Sequence, residues 1–392
     1  MGFYLNNKSK VSLYKSEMQR PYFVDKTLIL SELFPLIESG NSHICITRPR
    51  RFGKTVMANM IGAFFEKGVD TKNIFEQLKI SKSPEYEKHR NKHDVIYIDF
   101  SKMPEDCESY EQYIGRIINR LKKDLIREYP DADYEEDDAL WDILDCIFDM
   151  YDGQKFIFVM DEWDCVFHKA FITREDQQKY ISFLSNLLKD HGYVELLYMT
   201  GILPIAKYSS GSELNMFLEY TMASEEKFNE YFGFTESEVD ILFEKYLKIC
   251  ETPTITREQL RLWYDGYATK AGERMYNPRS VVTALSNNNI GNYWTSSGPY
   301  DEIFYYIKNN VADVKADLAL MVSGEAVQAK VREYAAASMN LSTKNEIFSA
   351  MVVYGFLSYE NGKVRIPNKE LMECLEDQLE TKQHRCQVEE IK

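Results

Sequence analysis

The sequence has no Cys-x-x-Cys pair, no Cys/His cluster at zinc-ligand spacing and no His-Glu-x-x-His run. Structural zinc and zinc-hydrolase chemistry have no support, since each needs its ligands at short, fixed spacings. The seven cysteines are scattered and odd in number, which favours reduced thiols, most of them in the core, over a disulfide framework. Neither an apolar signal core in MGFYLNNKSK nor an apolar run long enough to span a bilayer occurs, so the expectation is a cytoplasmic protein with no membrane association. A basic excess is missing too: 47 Lys and Arg face 62 Asp and Glu, a formal net charge of -15. That excludes a uniformly cationic nucleic-acid-binding surface and leaves room for a local basic groove. At 392 residues, 44% of them hydrophobic, the chain can build two or three domains with cores of their own.

One further absence is local. CITRPRRFGKTVMAN (Cys45 to Asn59) ends a phosphate-binding loop with Gly53-Lys54-Thr55 but lacks the first glycine of the usual pattern. Arg48 stands in its place, followed by Pro49, Arg50, Arg51 and Phe52. The triplet alone is weak; its context is stronger. Short β-branched or aromatic runs occur at SHICITR (42–48), DVIYIDF (94–100), KFIFVMDE (155–162) and VELLYMTG (194–201). Such runs fit strands buried on both faces of a mostly parallel sheet. After the loop, Met57, Met60, Ile61, Phe64 and Phe65 repeat at helical spacing, with Gly68 placed to stop the helix. Strand, loop, helix, strand predicts a three-layer α/β domain of the P-loop NTPase type.

In that setting the loop Arg48–Val56 is the candidate nucleotide cradle. Backbone N–H groups at the helix start have no intrahelical partners and can hold phosphate oxygens. Lys54 reaches the β- and γ-phosphates and the Thr55 hydroxyl ligates Mg2+. FIFVMDE supplies the second half: Asp161 holds the magnesium and Glu162 acts on the attacking water as a general base. Pro49 fixes φ and offers no N–H, so this loop takes a different path from a glycine-rich one. Gly53 gives the backbone its close approach to phosphate, and a glycine at 48 is expected to be tolerated.

Taken together, YFVDKTLILSEL, TRPRRFGKT, YIDFS, VMDEWD, YMTGILPI, YFGFTESEV, WYDGY and YNPRSV resemble the predicted AAA-ATPase-like family of bacterial P-loop proteins. The resemblance runs from about Tyr22 to Val282, and the arginine-rich loop is characteristic of that family. It implies an ATPase using ATP and Mg2+, with Thr200 as a polar sensor of the γ-phosphate or attacking water. It also implies that the segment 21–27 lies near the base. There Tyr22 or Phe23 either stacks on adenine or is an aromatic of the core. Arg50 and Arg51 either add charge to the phosphate site or point outward as a surface pair. Related ATPases carry a helical lid that donates an arginine to the γ-phosphate; Arg279, in YNPRSV, is the candidate, against a solvated structural arginine.

The organisation expected is an ATPase core over 1–222, a helical lid over 223–299 and a winged-helix-like module over 300–392. Thr235 with Glu238 and Thr343 with Glu346 form capping boxes, and Asn361-Gly362 between two strand-like runs signals a hairpin. The resemblance also implies that a PD-(D/E)XK nuclease-like domain often follows. No such site is legible here, so a shortened or truncated member is expected. The Asp142, Asp145, Asp149 stripe reads as a solvated helix face opposite Leu140, Ile143, Leu144 and Ile147. Three function classes remain: an ATPase that drives motion in a partner or a homo-oligomer, a slow nucleotide-gated switch acting with a nuclease-like or other protein, and a scaffold. The partner and any nucleic-acid contact are not legible.

Overall fold

In the computed structural model, residues 2–39, 42–135, 137–205, 213–223, 225–294, 301–332 and 341–389 are described. The chain divides into two compact units, Met1–Ile46 with Lys54–Gly201 and Tyr208–Glu219, and Thr47–Gly53 with Ile202–Lys207 and Tyr220–Lys392. The order through the first is α1 (Ser9–Met18), α2 (Ile29–Ser39), β1 (His43–Thr47), α3 (Lys54–Phe65), α4 (Lys72–Phe75), α5 (Tyr86–His89), β2 (Asp94–Asp99) and α6 (Tyr110–Glu128). Then come α7 (Leu140–Met150), β3 (Phe156–Asp161), α8 (Arg174–Leu188), β4 (Val194–Gly201) and β5 (Leu218–Tyr220).

The five strands form one sheet in the order β2-β3-β4-β1-β5. β2 pairs parallel with β3, and β3 parallel with β4. Parallel neighbours need crossovers, which α6 and α7 supply between β2 and β3, and α8 between β3 and β4. All of β3 is buried, as are all of β2 except Asp99 and all of β4 except Glu195. Strands buried on both faces lie between helical layers, so the unit is an α/β sandwich of the P-loop type. Each of the four runs expected to be a strand is one, to within a residue at either end. β5 was not foreseen, being three residues of which one is exposed and two half-buried.

α3 buries Met57, Met60, Ile61, Phe64 and Phe65, the residues whose spacing announced it. It ends three residues before Gly68, because Glu66 leaves the helix to bridge His93. The Glu66 side chain is 1% exposed, and its Oε1 has no hydrogen-bond partner. Burial pushes its pKa from 4.5 up to about 7, with Lys8 and Lys10 opposing. A carboxyl raised in the folded state gives stability that is full below its unfolded pKa and is lost as pH climbs towards 7. Glu66→Gln should therefore melt above the parent protein at pH 8, by an amount worth about 1–3 kcal/mol, and close to it at pH 4.5. A parent protein that melts higher at pH 8 would reverse that sign.

The second unit contains α9 (Glu236–Ile249), α10 (Arg257–Tyr264), β6 (Tyr267–Ala268), β7 (Arg274–Met275), α11 (Pro278–Asn287), α12 (Asp301–Lys308) and α13 (Val314–Val322). It continues with β8 (Val327–Gln328), α14 (Lys344–Tyr354), β9 (Ser358–Glu360), β10 (Lys363–Arg365) and α15 (Lys369–Glu389). Both expected capping boxes are present, Thr235 with Glu238 on α9 and Thr343 with Glu346 on α14. Asn361 and Gly362 have φ of 51° and 78°, the two positive values a tight hairpin turn needs. They join β9 to β10, and β8 adds a third antiparallel strand. The region expected to be a helical lid also carries the β6–β7 ribbon. Of YWTSSG, assigned to the same region, residues 295–298 lie outside the described residues. No helix among the described residues is long and apolar enough to cross a membrane.

Candidate functional site

Within the first unit, three strands deliver polar side chains to one end of the sheet. The register sets Asp99 of β2 opposite Asp161 of β3. Met160 pairs with Met199, so Thr200 of β4 is the next residue along, beside Asp161. Asp161 and Thr200 are both 0% exposed. Neither Asp161 oxygen has a hydrogen-bond partner of ordinary geometry, and nor does Thr200 Oγ1. Burial pushes Asp161 up to about 7; Glu162 and Asp99 push the same way, while the Thr55 hydroxyl and the Lys54 ammonium oppose it. A buried polar atom without a partner costs about 1–3 kcal/mol, more when charged. Such a cost persists where a ligand supplies the missing bonds.

Lys54 is the first residue of α3 and is 4% exposed. Thr55 and Val56 follow it and are exposed. Glu162, half-buried, has a left-handed backbone at φ 53°, ψ 44° and starts the short turn Trp163–His168. A non-glycine residue held there is strained, and strain of this kind clusters at functional sites. The turn is anchored by Trp163, fully buried, whose carbonyl accepts from Tyr180 Oη at 2.9 Å. Gly201 is required at the end of β4, because a Cβ there would overlap the Asp164 carboxylate and the Trp163 indole.

Two residues at this end of the sheet escaped the sequence reading. Asp99 accepts from Ser101 through its N–H at 3.0 Å and its Oγ at 2.6 Å; an acid closing a buried apolar strand was the available signal. Lys10 of α1 is 5% exposed, with Nζ 3.5 Å from the Tyr97 ring centroid. Burial and Lys102 lower its pKa to about 8, while Asp99 and Asp161 act to raise it. Nothing in the polar run NNKSK announced a buried lysine.

The loop residues 48–53 belong to the second unit. Arg48 is 1% exposed. Its guanidinium donates to Thr47 O at 2.7 Å, Tyr220 O at 2.8 Å and Asn229 Oδ1 at 2.8 Å, and lies 5.0 Å from the Phe232 ring centroid. The expectation that glycine would be tolerated at 48 gives way, since it would strip three hydrogen bonds, two of them buried and one part-buried, from their acceptors. Pro49 is buried, and its Cβ would be met by any side chain placed at Gly355. Phe52 is buried edge-on to Tyr267, with ring centroids 4.9 Å apart. Arg50 and Arg51 are half-buried. The Arg50 carbonyl accepts from Asn277 Nδ2 at 3.5 Å, and Arg51 has φ 72°.

The remaining candidates are placed by their own surroundings. Tyr22 is 7% exposed. Phe23 stands edge-on to Tyr14, which stacks on Phe75. Arg279 is exposed at the second position of α11, after Asn277 as N-cap and Pro278 as first residue. On α7, Asp142 accepts from the Ala139 N–H at 3.0 Å and Asp145 pairs with His191 at 3.0 Å, while Leu140, Ile143, Leu144 and Ile147 are buried.

A strand, a loop ending in Gly-Lys-Thr at a helix start, and a second strand of the same sheet, one strand removed, closing on Asp-Glu together define a P-loop NTPase core. The chain belongs to the AAA-ATPase-like family, described as predicted AAA-ATPases, whose pattern matches residues 14–210. An uncharacterized protein in the vnfD 5' region of Azotobacter chroococcum is 24% identical over 282 residues. That match takes in 71% of this chain and 51% of the relative, so the chain spans about half the length of this curated relative. Among solved structures, the Walker-type ATPase PABY2304 of Pyrococcus abyssi aligns with 90% of this chain and 94% of its own, at 11% identity and a TM-score of 0.45. The ORC2 protein of Aeropyrum pernix, in its ADPNP-ADP complexes, aligns with 93% and 98%, at 12% identity and a TM-score of 0.41.

Proposed function

We propose that this chain binds ATP together with Mg2+ and hydrolyses it, coupling nucleotide state to a change of conformation. The observation that carries the reading is Asp161: a fully buried carboxylate whose oxygens make no hydrogen bond of ordinary geometry, at the end of a central strand and close to the Lys54 and Thr55 side chains that open α3. Asp161 and the Thr55 hydroxyl are hard oxygen donors that suit Mg2+, which is bound by one or two protein groups, its own waters and phosphate oxygens rather than by a cage. Bound there, Mg2+ would neutralise charge on the β- and γ-phosphates.

The chain's own groups do the rest. Lys54 and the backbone N–H groups at the start of α3 hold the phosphates. Glu162 takes the proton of the attacking water. Thr200 orients that water or the γ-phosphate through its hydroxyl. We assign Arg279 as the lid arginine, residues 1–222, 223–299 and 300–392 as core, lid and C-terminal module, and the order β8, α14, β9, β10 as a winged-helix-like arrangement. ATP titration with and without Mg2+, paired with steady-state phosphate release with and without DNA, tests the reading. Tight binding with no turnover would make the protein a switch, and absence of binding would end the proposal.

Gly53 supplies a sharper check on the loop. Its φ is +85°, and a Cβ there would meet nothing within 4 Å. The harm in Gly53→Ala is therefore conformational, about 1–2 kcal/mol for a side chain in the left-handed region, joined by a clash with phosphate once nucleotide is bound. ATP affinity should fall at least tenfold while the melting temperature drops only a few degrees. Equal affinity in a folded mutant would mean that phosphate does not approach this backbone.

A further inference from the structure

We infer that Arg48 and Asn229 form a joint through which the phosphate-binding loop governs the connector between β5 and α9, with Asn229 as a positioning residue for nucleotide binding. The inference rests on the ATP-binding reading above. Arg48 occupies the place of the loop's missing glycine, yet its guanidinium is turned along the connector, onto Tyr220 O, Asn229 Oδ1 and the Phe232 ring. Asn229 is 5% exposed and is used at both ends of its amide. Its oxygen accepts from Arg48, and its Nδ2 donates to Glu225 O at 2.7 Å and Met222 O at 3.4 Å.

The residue before it, Phe228, is buried with φ 68°, a region a bulky side chain occupies only when its surroundings force it. The connector is thus held in a strained turn by the side chain that also grips the loop. Pro49, next to Arg48, has a fixed φ. A shift of residues 50–54 on phosphate binding finds little give at 49 and passes to Arg48, hence to Asn229.

The test uses the full chain. In the parent protein, ATP should slow amide exchange in peptides covering 220–232, and Arg48→Met should remove that slowing. Asn229→Ala should weaken ATP affinity about tenfold. Asn229→Asp should stay within threefold of the parent, because a carboxylate still accepts from Arg48 although it can no longer donate to the connector. A merely structural asparagine predicts the reverse, with Asp failing as badly as Ala. Should Asn229→Ala not fold, Arg48→Lys, which keeps the charge but not the fork, should give an intermediate loss of affinity. Equal affinities for the Ala and Asp variants, an unweakened Arg48→Lys protein, or slowing that persists in Arg48→Met overturns the joint while leaving ATP binding standing. A parent protein that binds no ATP overturns both.

Discussion

Lys54→Ala is expected to weaken ATP binding by 10²-fold or more while the protein stays folded. Lys54 is 4% exposed at the first position of α3, so on the proposed reading its ammonium would meet phosphate in a setting where water screens little. Removing one member of a desolvated charge pair costs about 2–5 kcal/mol, which is 30- to several thousand-fold in affinity. The side chain serves the ligand more than the core, and truncation takes a cation out of a buried position, so the melting temperature should hold to within a few degrees. Calorimetric titration of the folded mutant decides it: parent-like affinity removes the phosphate-loop assignment altogether.

Glu162→Gln should bind ATP and Mg2+ as the parent does yet turn over about 10²–10⁴ times more slowly, the usual worth of a general base. The amide keeps the shape and tolerates the same backbone, and only proton acceptance is lost. Asp161→Asn should behave differently. With one carboxylate oxygen replaced by an N–H donor, the magnesium-dependent part of ATP affinity should fall, while binding without metal changes little. Single-turnover hydrolysis and titrations at several Mg2+ concentrations separate the two variants. Matching profiles would mean that the division of labour between the adjacent acids is wrong.

The parts of this design that were legible share a cause. β1 to β4 are short apolar runs buried on both faces, so composition alone marks them, and Gly53-Lys54-Thr55 and Asp161-Glu162 sit where such runs stop. Capping boxes and the Asn361-Gly362 turn are local chemistry and read equally well. What stayed hidden depends on partners far along the chain. Nothing near Arg48 indicates that its guanidinium is used by Tyr220 and Asn229, 172 and 181 residues downstream. Lys10 looks like a surface lysine until Tyr97 is folded beneath it. β5, β6, β7 and β8, of two or three residues each, carry too little pattern to register; pairing with neighbours makes them strands.

Those long separations bear on how the protein comes to be built. Synthesis runs from the N-terminus at about 5–20 residues per second. Residues 43–47 and 54–65, which flank Arg48 and its loop, therefore leave the ribosome many seconds before Asn229 does. Over that interval the arginine has no acceptors from the connector, and the loop lacks the supports at Tyr267, Asn277 and Gly355 that lie later still. A fragment ending near residue 222 would stay in that unfinished condition permanently: its β-sheet complete, its phosphate loop unbraced. The proposed nucleotide site is then among the first regions to be translated and among the last to take shape.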